Sequence, residues 1–107
     1  MIPLEHYLWL SGILFTLGLF GVMTRRNVIL VLMSVEIMLN AANVALVAFN
    51  KHLAVNPAGG VDPDGQVFVF FTIAVAAAEA AVALVIAMAL FRRLDTVDVD
   101  AVANLRW

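Results

Sequence analysis

Three apolar runs, at about residues 4–23, 28–49 and 66–91, take up most of this 107-residue chain. Each is long enough to cross the roughly 30 Å hydrocarbon layer of a bilayer as a helix. No other feature limits the fold as severely, because in hydrocarbon every backbone N–H and C=O must be bonded within its own segment or within a closed barrel. None of the runs alternates with a period of two, so barrel strands are excluded. The reading is an all-α integral membrane fold: a single domain of three transmembrane helices, a polar loop over 50–65 and a tail over 92–107. Charged residues make up 13% of the chain, about half the share in a typical soluble domain. A formal net charge of -2 is too small to point to nucleic acid as a partner.

Lys and Arg sort by side once the spans are laid out. Arg25, Arg26, Arg92, Arg93 and Arg106 fall at one end of the helices and only Lys51 at the other. The positive-inside rule then sets the N-terminus periplasmic and the C-terminus cytoplasmic. The opening "MIPLEHY" has no basic lead and no small-residue cleavage pattern follows the first run, so that run is expected to be a retained span. The second loop carries Pro57, Gly59, Gly60, Pro63 and Gly65 together with Asp62 and Asp64, and is expected to be exposed and mobile. The tail after Arg93, with Asp95, Asp98 and Asp100 between valines, is expected to be solvated or to lie along a partner.

Within this apolar frame two acids stand out. Glu36 lies near the middle of the second span, where a charged side chain costs about 3 kcal/mol on insertion scales. At 100° per residue, Glu36, Asn40, Asn43 and Asn50 fall within about 40° of one line, giving that helix a single polar stripe. Such a stripe must face protein or water. The third span places Glu79 among alanines, with Thr72, Ala76 and Ala83 near its face, a surface suited to close helix approach. At 1.5 Å per residue Glu36 lies ~15 Å from Arg26 and Glu79 ~20 Å from Arg92, so both acids sit near the midplane. A carboxyl withdrawn from water holds its proton to higher pH, and two at matched depth can pass protons through intervening water. A protonated acid can equally serve only as a hydrogen-bonded tie between helices.

Other residues carry less. Arg25 and Arg26 are positive-inside anchors that can also pair with an acidic partner group, and His6, His52, Tyr7 and Trp9 read as interfacial residues. No set has metal-ligand spacing, so no metal is expected. The absence of cysteine removes iron-sulfur ligation and a thiol nucleophile from this chain. No phosphate loop, nucleophile triad or dinucleotide fingerprint is present.

The pieces "MIPLEHYL", "TRRN", "VEIMLNAAN", "DGQV", "AAAEAAVAL" and "LRW", in that order and spacing, resemble the K-subunit family of bacterial proton-pumping NADH:quinone oxidoreductase (respiratory complex I), the counterpart of the mitochondrial ND "4L" subunit. The likeness covers nearly the whole chain. The second loop departs from shorter versions of the family by the extra "NPAGGVDP". The resemblance implies a subunit without redox chemistry of its own, in the inner (plasma) membrane of a bacterium, beside J, A and N type subunits. NADH, FMN, iron-sulfur clusters and quinone would then be handled by other subunits, with no cofactor bound by this chain. It also implies proton-transfer roles for Glu36 and Glu79, supporting polar roles for Asn40, Asn43 and Thr72, and a functional cytoplasmic loop of Arg25, Arg26 and Asn27. A purely structural or assembly subunit is the first alternative. The C-type subunit of multisubunit sodium/proton antiporters, the second, shares the second-span acid but lacks the acid of "AAAEAA". A small multidrug-proton antiporter would need a fourth span and an acid in the first.

Overall fold

The computed structural model describes residues 2–53 and 63–102. Helix α1 spans Leu4–Thr24, α2 Val28–Leu53 and α3 Asp64–Leu94, and a short helix α4 spans Val99–Val102. All three long helices are apolar and long enough to cross a membrane, as the sequence reading requires. The extra "NPAGGVDP" apart from Pro63, and the final "LRW", lie outside the described residues, and with them most of the second loop.

The helices outrun the apolar segments that define them. Hydropathy marks where a helix enters water, while the backbone ladder continues until a residue or a cap stops it. So α2 passes Phe49 to reach Leu53, and α3 begins at Asp64 and ends at Leu94. With 31 residues at 1.5 Å each, α3 is roughly 46 Å long and projects beyond the hydrocarbon.

Helix α2 is the centre of the molecule: α1 packs along it extensively, α3 packs on it less closely, and α1 and α3 scarcely meet. The buried residues are the small ones, Gly18 on α1, Ser34, Ala41 and Ala48 on α2, and Val69 and Ala87 on α3. Ala41 has no exposed surface at all, while Trp9, Phe20, Phe70 and Phe71 face outward. This reverses the water-soluble pattern for a physical reason. Lipid tails solvate Leu and Phe as well as protein does, so helices associate where small residues let backbones approach.

The crossing of α1 and α2 shows how close that approach is. A methyl group on Gly18 would stand 2.5 Å from Met38 Cγ and 2.7 Å from the Ser34 carbonyl oxygen, and one on Gly21 would run into the Ser34 hydroxyl. Higher up, Ser11 donates a 2.6 Å hydrogen bond across the interface to the Ala41 carbonyl. Ser34 turns its hydroxyl back to the Leu30 carbonyl at 2.8 Å, so that the hydroxyl is paired within its own helix.

Candidate functional site

The face of α2 used by α1 is the line Ser34, Ala41, Ala48. The stripe of Glu36, Asn40, Asn43 and Asn50 lies roughly 140° around the helix from that line, and it is on this side that α3 packs. Thr72 Oγ1 donates a 2.7 Å hydrogen bond to Asn43 Oδ1. The same hydroxyl lies 2.8 Å from the Val69 carbonyl one turn back on its own helix, so its rotamer is held from both sides. One helix end further out, Gly65 lies against the side chain of Asn50, where an added methyl would meet Asn50 Cγ at 2.5 Å.

These two contacts fix the register of the antiparallel pair. Asn50 stands against Gly65 and Asn43 against Thr72, a step of seven down α2 for seven up α3. Two turns of helix are close to seven residues. The next such step puts Glu36 level with Glu79. One step further the rule brings Ile29 to the level of Ile86, and Ile29 shares a groove of about 280 Å³ with the neighbouring Ala87, Met88 and Phe91 of α3.

The two acids differ in how far this chain covers them: Glu36 is half-buried and Glu79 exposed. The close approach expected at Glu79 is therefore not made within the chain. Helix α3 presents Val69, Ala76, Ala80, Ala83 and Ala87 to α2, all buried or half-buried, and Glu79 stands about 70° off that line. Small alanines draw α3 onto α2 and leave the carboxylate on the flank. Asn40 is also exposed and lines an open groove of about 660 Å³ together with Tyr7, Asn43, Lys51, Val69 and Ile73. Along the stripe, Asn43 accepts a hydrogen bond from α3 and Asn50 packs against Gly65 of α3.

Loop 1 is more ordered than its charge alone predicts. Asn27 Oδ1 accepts the Ile29 N–H at 2.9 Å, the N-cap of α2. In the sequence Asn27 stands out only as part of "TRRN", though a side-chain acceptor before an apolar run is a known start signal. Residues 96–100, expected to be solvated or to lie along a partner, return instead to this loop. Asp95 adopts φ 55° after α3 and reverses the chain. Asn27 and Asp98 then form an antiparallel bridge, with Val28 N–H donating to the Val97 carbonyl at 2.8 Å and Val99 N–H to the Arg26 carbonyl at 2.9 Å. Asp98 Oδ1 accepts the Asp100 N–H at 2.9 Å and caps α4. Arg26 pairs with Asp100 at 3.5 Å, whereas Arg25 is exposed and enters no ion pair among the described residues.

Among the described residues no group of three His, Asp or Glu side chains is placed to hold a metal ion. Chemically, the arrangement offers two carboxyls level with each other, one polar tie beside them, and a cationic loop at one end of the same helices.

Comparison with known proteins converges on one family. The family model described as NADH-ubiquinone/plastoquinone oxidoreductase chain 4L matches residues 6–107. NADH-quinone oxidoreductase subunit K of Deinococcus radiodurans is 52% identical over 106 residues, covering 99% of this chain and 96% of that relative. The subunit K of Salinibacter ruber is 56% identical over 96 residues, covering 90% and 88% of the two chains. That of Pseudomonas syringae pv. tomato is 50% identical over 105 residues, covering 98% and 96%.

Proposed function

The chain belongs to the chain 4L family, the K subunits of NADH-quinone oxidoreductase, and from that premise we propose that Glu36 and Glu79 are proton-exchanging groups in the membrane arm of such an enzyme. The observation that carries the reading is the register of α2 and α3, which sets the two carboxyls at one level. Two acids at one depth in hydrocarbon each cost insertion energy, and a chain that needed only a tie between helices already has one in Thr72 and Asn43.

In this reading the chain carries no redox group. NADH oxidation and quinone reduction belong to other subunits, and this one conveys their coupling along a polar axis. Glu79, exposed on the chain, is closed off by an adjacent subunit of the J, A or N type that supplies the next polar group. Glu36, half-covered by its own chain, is the inner member of the pair. Asn40, Asn43 and Thr72 hold water and side chains in line between them. The arginine-bearing ends, Arg25 and Arg26 with Arg92 and Arg93, face the cytoplasm of a bacterium, and Lys51 faces outward across the inner membrane.

The test replaces each acid by glutamine in the assembled enzyme and measures NADH-driven proton pumping beside quinone reductase turnover. Loss of pumping in Glu36→Gln or Glu79→Gln, with the complex assembled in normal amount, is the expected result. Full pumping with both acids neutralised would leave the structural or assembly role in its place.

A further inference from the structure

The return of the tail onto loop 1 does more than end the chain. The first N–H groups of a helix have no partner inside it; here the Val97 carbonyl takes that of Val28 and Asn27 takes that of Ile29. Val97, half-buried, also lines the groove between Ile29 of α2 and Met88 and Phe91 of α3. The segment therefore touches both glutamate-bearing helices at this groove. Asp95 supplies the reversal, its own N–H bonded at 2.7 Å to the Phe91 carbonyl, and Asp tolerates the left-handed conformation better than most residues. Among the described residues, the polar contacts of the segment are local or directed to loop 1.

We propose that residues 95–102 form a clasp that holds loop 1 to the exit of α3, keeps the level of Glu79 against Glu36, and stays closed through turnover, with Arg26 as a positioning residue at its latch and Arg25 outside it. The two arginines, adjacent in sequence and equal in charge, thus do different work. The Arg26 side chain is 76% and Asp100 67% exposed, so the ion pair shifts closure by no more than about fivefold. The main-chain bridge and Val97 carry the rest. This inference stands on the contacts of the tail, and its test reads closure separately from proton movement.

The bridge geometry supplies the test. Its two hydrogen bonds flank Asn27 and Asp98 rather than joining them, which makes them a non-hydrogen-bonded pair with Cα atoms about 4.5 Å apart. That spacing suits a disulfide, and the chain has no cysteine of its own. In the assembled enzyme carrying Asn27→Cys and Asp98→Cys, a mild thiol oxidant is expected to cross-link the pair, read as lost labelling by a maleimide-polymer. The rate is expected to fall up to about fivefold on adding Arg26→Ala, to recover in the Arg26→Asp, Asp100→Arg exchange, and to be unchanged by Arg25→Ala. Val99→Pro, which removes the N–H given to Arg26 at a first helical position where proline is accepted, is expected to slow it similarly. Any turnover lost in Arg26→Ala should return on oxidation.

Absence of the cross-link would overturn the clasp. So would turnover that stops on oxidation and returns on reduction, since the clasp would then have to open. Equal effects of Arg25→Ala and Arg26→Ala, or turnover still impaired in the fully cross-linked Arg26→Ala enzyme, would overturn the role given to Arg26. Hydrogen exchange at the Val28 and Val99 amides of the unmodified enzyme is an independent readout: protection is expected, and free exchange of Val99 refutes closure.

Discussion

Replacing Gly18 by alanine adds one methyl group and should separate two helices. The new Cβ would lie 2.5 Å from Met38 Cγ and 2.7 Å from the Ser34 carbonyl oxygen, with the Met38 amide nitrogen at 3.2 Å. Methionine can swing its side chain aside, but the Ser34 carbonyl and Met38 nitrogen belong to the backbone of α2. Relief requires α1 to move outward by several tenths of an ångström or more, at the general cost of overpacking, about 1–3 kcal/mol. Such a shift also strains the 2.6 Å bond from Ser11 to the Ala41 carbonyl two turns away. Two other glycines of α1 calibrate the effect. A Cβ on Gly12 meets nothing within 4 Å, and one on Gly21 meets only the Ser34 side chain. The expected order of assembled, heat-resistant complex is Gly12→Ala at or slightly above the parent, Gly21→Ala lower, and Gly18→Ala lowest. Ser34→Gly should rescue Gly21→Ala, while Met38→Ala should rescue Gly18→Ala only partly. The assay is the yield and thermal midpoint of purified enzyme. Gly18→Ala equal to Gly12→Ala would refute the close crossing from which the order is drawn.

Thr72→Val should cost about 0.6 to 1.7 kcal/mol, the range for a hydrogen bond between membrane helices, and a double-mutant cycle with Asn43→Leu should show that the pair accounts for most of it. Independence of the two substitutions would mean that the 2.7 Å contact is not what joins α2 to α3. Asn27→Ala should remove the N-cap of α2 at a cost of about 1 kcal/mol, seen as faster hydrogen exchange at Ile29 with little change beyond the first two turns. Glu79→Gln should disturb neighbour contacts more than Glu36→Gln, because Glu79 is the exposed acid; cross-linking from position 79 should reach another subunit, and capture of α1 of this same chain would contradict its placement.

The comparison of sequence with structure is most instructive at the glutamates. Depth is linear in residue number along a helix, so counting from the arginines is enough to place Glu36 and Glu79 near one level, and the register set by Asn50 with Gly65 and Asn43 with Thr72 agrees. Facing is harder. The same periodicity places Ala76 and Ala83 within reach of the Glu79 face, yet it cannot say whether the alanines or the acid meet the neighbour. Packing chose the alanines, because close backbone approach rewards small side chains on the contact line and tolerates a polar one at its edge.

The tail shows the opposite limit. "DTVDVD" has the composition of a solvated end, and no periodic signal marks a bridge of a single residue pair. Its docking depends on where loop 1 lies after α1, α2 and α3 have packed, which no local pattern encodes. Asn27 and Asp98 each cap the helix that follows, and those caps, too, emerged only from the fold.

The sequence by itself determined the number of spans, their helical character, the depth of the two acids and the sorting of arginines to one end, because each follows from distance along the chain and the hydrocarbon's intolerance of unpaired polar groups. Only the tertiary structure decided that α2 stands between its neighbours, that Glu36 is half-covered while Glu79 looks outward, and that Arg26 but not Arg25 meets the tail. Those outcomes turn on which faces of the helices meet, and where lipid solvates apolar side chains as well as protein does, small residues and a few hydrogen bonds make that choice.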